Sequence, residues 1–210
     1  MPVLAYVFWH RPRDPATVEE YEQAQIAFHR SLARTPPVGL LGSGCYRAHE
    51  LPWLPPPATS GAAPGTAADA AAPTYEDWYL VEDFAALGVL NEAAVGRGHR
   101  TAHDAAARRF GAGAGGLYEL LEGDREGPLG EATLATWVGR PPGSPRRMLG
   151  ELLGDGMDPA RASLWRRQLV LGPAPEYCVL AGEPPAGVVP TRLPDGWTAT
   201  TLDRTALWTG

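Results

Sequence analysis

The feature that most constrains this chain is a repeated order of elements. Over residues 1–125 the hydrophobic pattern reads strand, helix, strand, strand, helix, strand, and from residue 131 the series starts again with strand, helix, strand, strand. A sheet that carries helices on one face must bury the other face, and a second copy in the same chain supplies the cover. The pattern therefore predicts an α+β fold of two halves, 1–125 and 131–210, whose sheets close into one barrel or pack together.

Each element has a local cause. Val3 to His10 is apolar or aromatic on both alternating sets until His10, as expected for a strand covered on both faces. Asp14 is placed to cap a helix that has Pro15 in its first turn and runs to Arg34. Its inward stripe is Val18, Tyr21, Gln25, Phe28, His29 and Leu32, and Pro36-Pro37 stops it. Leu40–His49 and Thr74–Glu82 read as the second and third strands. Between them, residues 55–73 are rich in Pro, Gly, Ala, Ser and Thr, too poor in apolar surface to order themselves, which predicts a mobile hairpin loop.

Asp83 should cap the next helix, a further helical piece spans about Thr101 to Phe110, and Leu117–Leu121 reads as the fourth strand. After the turn-rich linker Gly123–Gly130, strands are expected at Ala132–Gly139, Leu164–Leu171, Tyr177–Ala181 and Trp197–Trp208. Ser144 opens a short helix. The second half is the degenerate one, because Pro184 to Pro194 stands where its second helix belongs and is proline-rich.

Charge and residue usage exclude several functions. A formal net charge of −6 offers no basic excess for phosphate backbones, so nucleic acid is not an expected partner. All 18 basic residues are arginine, which removes lysine Schiff-base chemistry and the usual phosphate-binding P-loop. The apolar N-terminal run is too short to span a bilayer and lacks a preceding basic residue, so neither membrane nor export is expected, and a cytoplasmic location is inferred. Cys45 and Cys178 lack any paired spacing and read as reduced, buried thiols.

The candidate chemistry lies mainly in the first half. His10 ends the first strand in phase with Tyr6 and Phe8, and His29 lies on the inward face of the first helix with Tyr21, which suggests a pocket lined by imidazoles and aromatic rings. On the third strand Glu76, Trp78 and Leu80 share one face while Tyr75, Asp77 and Tyr79 share the other, so a carboxylate in apolar surroundings can serve as a general base. Arg166, Arg167 and Gln168 stand ready to pair with Glu76 or Asp77, or to hold an anionic ligand.

His99 and His103 have the four-residue spacing of two imidazoles on one helical face, but no third ligand is near and the neighbouring arginines indicate a solvated face, so no metal site is assigned. Gly111, Gly113 and Gly116 match a dinucleotide fingerprint literally. A helix precedes them and a strand follows, the reverse of what that site needs, so they read as a helix stop and loop.

The segments YVFWHRP at 6–12, EEYEQAQIAFHRSL at 19–32 and TYEDWYLVEDF at 74–84 together resemble the ferredoxin-like α+β barrel superfamily, which includes EthD-like proteins and antibiotic-biosynthesis-type monooxygenases. The resemblance implies βαββαβ units. Members usually dimerise to close a barrel, so this chain resembles a tandem fusion forming a pseudo-dimer, itself a monomer or homodimer. It also implies a pocket for a small molecule. The residues read above make that an apolar or aromatic molecule, bound or transformed without a tightly held cofactor, with His10, His29 and Glu76 as catalytic candidates and Tyr6, Phe8, Tyr21, Trp78 and Arg167 as ligand contacts. A non-catalytic structural or interaction module is the rival reading, and a haem or metal protein the third.

Overall fold

Eight strands of the chain close on themselves into an antiparallel barrel in the order β1-β3-β2-β8-β5-β7-β6-β4. The computed structural model describes residues 3–14, 17–48, 51–54, 73–96, 98–125, 129, 130, 132–144, 157–170, 174–182 and 193–210. Within these, the elements run β1 (Leu4–Pro12), α1 (Val18–Arg34), β2 (Leu40–Ala48), β3 (Thr74–Val81), α2 (Phe84–Val95), α3 (Arg100–Ala107), β4 (Phe110–Gly123), β5 (Leu134–Gly139), β6 (Ala162–Val170), β7 (Tyr177–Ala181) and β8 (Thr198–Thr209). The first four strands lie side by side as β4-β1-β3-β2 and the last four as β8-β5-β7-β6, so the relative order is the same in both sets. The two seams are β2 against β8 and β4 against β6. Closure leaves no exposed sheet edge.

Strand alternation separates two apolar layers. Ala5, Val7 and Trp9 of β1, Trp78 and Leu80 of β3, Tyr118 of β4, Trp137 of β5 and Trp165 of β6 belong to one cluster that fills the barrel. Trp9, Trp78, Trp137 and Trp165 are each fully buried and meet one another edge-on or tilted, as in the 5.1 Å contact of Trp9 with Trp137. Outside the sheet, Leu4, Tyr79, Val81 and Leu117 pack against Phe28 and Leu32 of α1 and Ala86, Leu90 and Ala94 of α2. The inward face of α1 is Tyr21, Gln25, Phe28, His29 and Leu32, which is the stripe read from the sequence less Val18, only half-buried.

Several local expectations need correction. The cap position of α1 falls on Thr17 rather than Asp14, and the Asp14 carbonyl accepts from the Thr17 amide and hydroxyl. Asp83 does cap α2, its carboxylate accepting from the Ala86 amide at 2.8 Å. β4 begins at Phe110, not Leu117, so Gly111, Gly113 and Gly116 are strand residues rather than a helix stop and loop. The reason is packing: a Cβ on Gly113 would stand 2.8 Å from Phe8 Cζ, and one on Gly115 would stand 2.7 Å from the Tyr6 hydroxyl. These glycines let aromatic rings of β1 lie flat across β4. The loop at 55–72, the helix expected after Ser144 and the proline-rich stretch through residue 192 lie outside the described residues.

Candidate functional site

Three rows of cross-strand neighbours build a polar centre on the outer face of the sheet, beneath α1. Phe8 stands between Gly115 and Asp77, and Asp77 stands beside Cys45; the flanking rows are Gly113, His10, Tyr75, Arg47 and Leu117, Tyr6, Tyr79, Ser43. Alternation aims all of these side chains at the helix layer. From above, α1 adds Tyr21, Gln25 and His29, all buried.

Asp77 is the hub. Its Oδ2 lies 3.1 Å from His10 Nε2 and its Oδ1 lies 3.4 Å from His29 Nε2, while the Tyr79 hydroxyl donates to Oδ2 at 3.2 Å. The second nitrogen of each imidazole is held by a hydroxyl: His10 Nδ1 shares a 2.5 Å hydrogen bond with Tyr21, and His29 Nδ1 a 2.9 Å bond with Ser43. Rings complete the packing, with His10 stacked on Tyr75 at 5.5 Å and His29 on Tyr79 at 5.1 Å. Both imidazoles are wholly buried and Asp77 is 2% exposed.

Burial alone would raise the Asp77 carboxyl, but His10 and His29 beside it hold it well below the usual carboxylate range. Burial, and secondarily the Asp77 charge, pushes the Cys45 thiol and the Tyr79 phenol well above their ordinary values. The centre therefore holds one carboxylate among protonated phenols and a protonated thiol.

Towards solvent the polar centre gives way to an aromatic ledge. Tyr6, Phe8 and Phe110 are half-buried, with Phe8 stacked on Phe110 at 5.6 Å and on the wholly buried His10 at 5.3 Å.

Glu76 and Trp78 lie on the opposite face of β3, inside the barrel, so the structure does not bring Glu76 together with His10 and His29. Glu76 Oε1 accepts from Trp9 Nε1 at 3.2 Å and Trp137 Nε1 at 2.9 Å, and Oε2 lies 3.2 Å from Arg204 Nε, with both charged side chains fully buried. Arg204 also covers the Tyr46 ring at 3.7 Å. Indoles and this ion pair occupy the interior around Glu76. The expected pairing of β6 with Glu76 or Asp77 is corrected as well: Arg166 and Gln168 both donate to Glu119, and Arg167 donates to the Ala174 carbonyl.

His99 and His103 also separate, and His99 is buried rather than solvated. His99 bridges α1 through Ser31 Oγ at 2.7 Å and the Thr35 carbonyl at 3.0 Å, whereas His103 faces Asp104 at 3.3 Å. A cleft of about 410 Å³ near Leu41, Gly42, Leu80, Leu129 and Thr209 touches none of the candidate catalytic or ligand-binding residues.

The hub itself was underweighted in the sequence reading. Asp77 was visible there only as one of two acidic neighbours, and the signal that selects it is its phase with Tyr75 and Tyr79 on the set facing the His29 stripe. Ser43 and Cys45 carried no signal, and Arg204 none beyond its strand.

No family model matches the chain, and no curated protein matches it significantly. Among solved structures, a monooxygenase-like protein from Lactobacillus acidophilus NCFM is similar at 9% identity and a TM-score of 0.52, over 98% of this chain and 96% of that one. An anthrone oxidase-like protein shares 10% identity over 98% and 93%, with a TM-score of 0.48. The first of these establishes a common fold, an α+β barrel.

Proposed function

We propose that the protein binds a flat apolar or aromatic small molecule on the outer face of its sheet, against Tyr6, Phe8 and Phe110, with His10 and Tyr21 at the polar end of the site. The observation that carries this reading is the continuity of the ledge with the His10–Asp77–His29 centre: half-buried rings lead directly onto imidazoles whose orientation is fixed by hydroxyl and carboxylate partners. Pre-set polar groups beside an apolar surface are what a small-molecule site requires. His10, its two nitrogens held by Tyr21 and Asp77, then backs the ledge as the buried ring stacked beneath Phe8, and His29 and Asp77 hold it in register.

The likeness of fold to a monooxygenase-like protein supports an oxidative role for the same site. The repeated strand order supports a finer description of the fold as two tandem ferredoxin-like halves closed as a pseudo-dimer. Glu76, Trp78 and Arg167 drop out of this site, since the first two fill the barrel.

A thermal-shift titration with planar aromatic compounds tests the reading. A binder should raise the melting temperature saturably, and Phe8→Ala should weaken binding at least tenfold while a Val38→Ala control, at an exposed site between α1 and β2, leaves it unchanged. If no planar compound shifts the melting temperature, or if Phe8→Ala binds as the parent does, the ledge is not the site. A non-catalytic module is then the better account.

A further inference from the structure

We propose that His29, Cys45 and Asp77 form a binding site for a zinc-type divalent cation beneath α1. This goes beyond the ledge reading and does not rest on it, and it departs from the sequence expectation of no metal.

Three elements converge to make the site. His29 comes from α1, Cys45 from β2 and Asp77 from β3, where Cys45 and Asp77 are direct cross-strand partners. One donor atom from each lies within 4.8 Å of the other two, and all three residues are buried. Among the described residues this is the one group of three or more such side chains close enough to hold an ion, and it combines nitrogen, sulfur and oxygen donors, a set that selects zinc or cobalt over magnesium or calcium.

The separation of His29 from Asp77 fits a metal better than it fits a hydrogen bond. Zinc–nitrogen and zinc–oxygen bonds of about 2.0–2.1 Å at a tetrahedral angle place the two donors roughly 3.3–3.4 Å apart. His29 Nε2 and Asp77 Oδ1 are 3.4 Å apart. Asp77 Oδ1 is buried yet, among the described residues, makes no hydrogen bond of good geometry, which is costly unless something else satisfies it. A cation bridging the two would do so.

The surrounding groups are those that prepare a ligand. The Ser43 hydroxyl holds His29 Nδ1, so Nε2, which faces Asp77 and lies 3.5 Å from the Tyr79 hydroxyl, would be the ligating atom once a cation takes the place of that long contact. His10 Nε2, at 3.1 Å from Asp77 Oδ2, braces the carboxylate from its other side, and the Tyr21 hydroxyl fixes His10 in turn. The carboxylate and a thiolate would balance a divalent charge. Cysteine ligates as the thiolate, so binding would release its proton.

Cobalt reports on this arrangement without any assay of activity. The full chain is produced in cobalt-supplemented medium, so that it folds around the ion, and is separately titrated with Co²⁺ after chelator treatment. One ion per chain is expected, with a thiolate-to-cobalt charge-transfer band in the near ultraviolet and release of at least one proton per ion bound. The chain has two cysteines, so a band that persists in Cys178→Ala assigns the thiolate to Cys45 even if Cys45→Ala fails to fold. Where they fold, Cys45→Ala should abolish the band and His29→Gln should weaken affinity at least tenfold. Absence of stoichiometric cobalt by either route overturns the proposal. So does a band that vanishes in folded Cys178→Ala, or a folded His29→Gln variant of unchanged affinity.

Discussion

Glu76 and Asp77 are adjacent on β3, yet each is the hub of a different polar centre, and the contrast separates what closes the molecule from what equips it. Glu76 faces inward and gathers Trp9 from β1, Trp137 from β5 and Arg204 from β8. Two of these three partners come from beyond residue 130, so the carboxylate ties the first four strands to the last four. Asp77 faces outward, and its partners His10, His29, Cys45 and Tyr79 all lie within the first 80 residues. Indole N–H groups and a guanidinium hold their protons at any ordinary pH, whereas imidazole and thiol exchange protons and bind metals. The inner centre is made of groups that keep their protons, and the outer one of groups able to exchange theirs.

The largest effect should come from breaking the inner hub. Glu76→Ala leaves a buried guanidinium and two indole N–H groups without their acceptor, a loss of roughly 3–5 kcal/mol of stability in denaturant unfolding. Replacing both charges, as in Glu76→Gln with Arg204→Met, removes the buried cation along with its carboxylate and should recover most of that loss. If Glu76→Ala unfolds at the parent's midpoint, the ion pair does not bind the halves together, and the contrast between the two centres fails.

How far this arrangement was legible in the sequence follows from the kind of signal each part carries. Alternation and helical phase are local, so the strands at Leu40–Ala48, Thr74–Val81 and Tyr177–Ala181, the α1 stripe and the Asp83 cap could all be read directly. The same phase placed Glu76 and Asp77 on opposite faces. Which face looked inward depended on how the sheet closed, and closure is set by the β2–β8 and β4–β6 seams between residues far apart in the chain. Arg204 was invisible for that reason, and Glu76 was grouped with imidazoles that it never meets. The start of β4 was missed because strand propensity counts glycine against a strand, whereas here Gly113 and Gly115 answer to rings on β1.

Those glycines give the next test, now on the outer face. In Gly113→Ala the new Cβ would meet Phe8 Cζ at 2.8 Å, Phe110 Cε2 at 2.7 Å and the Trp9 carbonyl oxygen at 2.8 Å. The rings can swing aside but the carbonyl cannot, so a loss of about 1–3 kcal/mol is expected by chemical denaturation. The displaced Phe8 should also weaken ligand capture on the ledge. Unchanged stability together with unchanged binding would show that the ledge does not depend on close approach to β4. A smaller loss, about 1 kcal/mol, is expected from Tyr21→Phe, which removes the hydroxyl on His10 Nδ1 and leaves the ring packed.

The smallest effect at neutral pH belongs to Tyr46→Phe on the inner face, and its sign should change in alkali. Burial pushes the Tyr46 phenol up to about 12, although the Arg204 guanidinium over its ring works the other way. An unfolded tyrosine ionises near 10, so the contribution of this group is fully present below about pH 10 and is lost as pH rises through about 12, by roughly 3 kcal/mol in all. Phenylalanine has no proton to lose. The variant should therefore be at most about 1 kcal/mol less stable than the parent at pH 8, and more stable than the parent above pH 11, in matched denaturant titrations. An equal deficit at both pH values would mean that Tyr46 ionises within the closed barrel, and the inner centre would then not be the proton-tight lock that distinguishes it from Asp77 and its imidazoles.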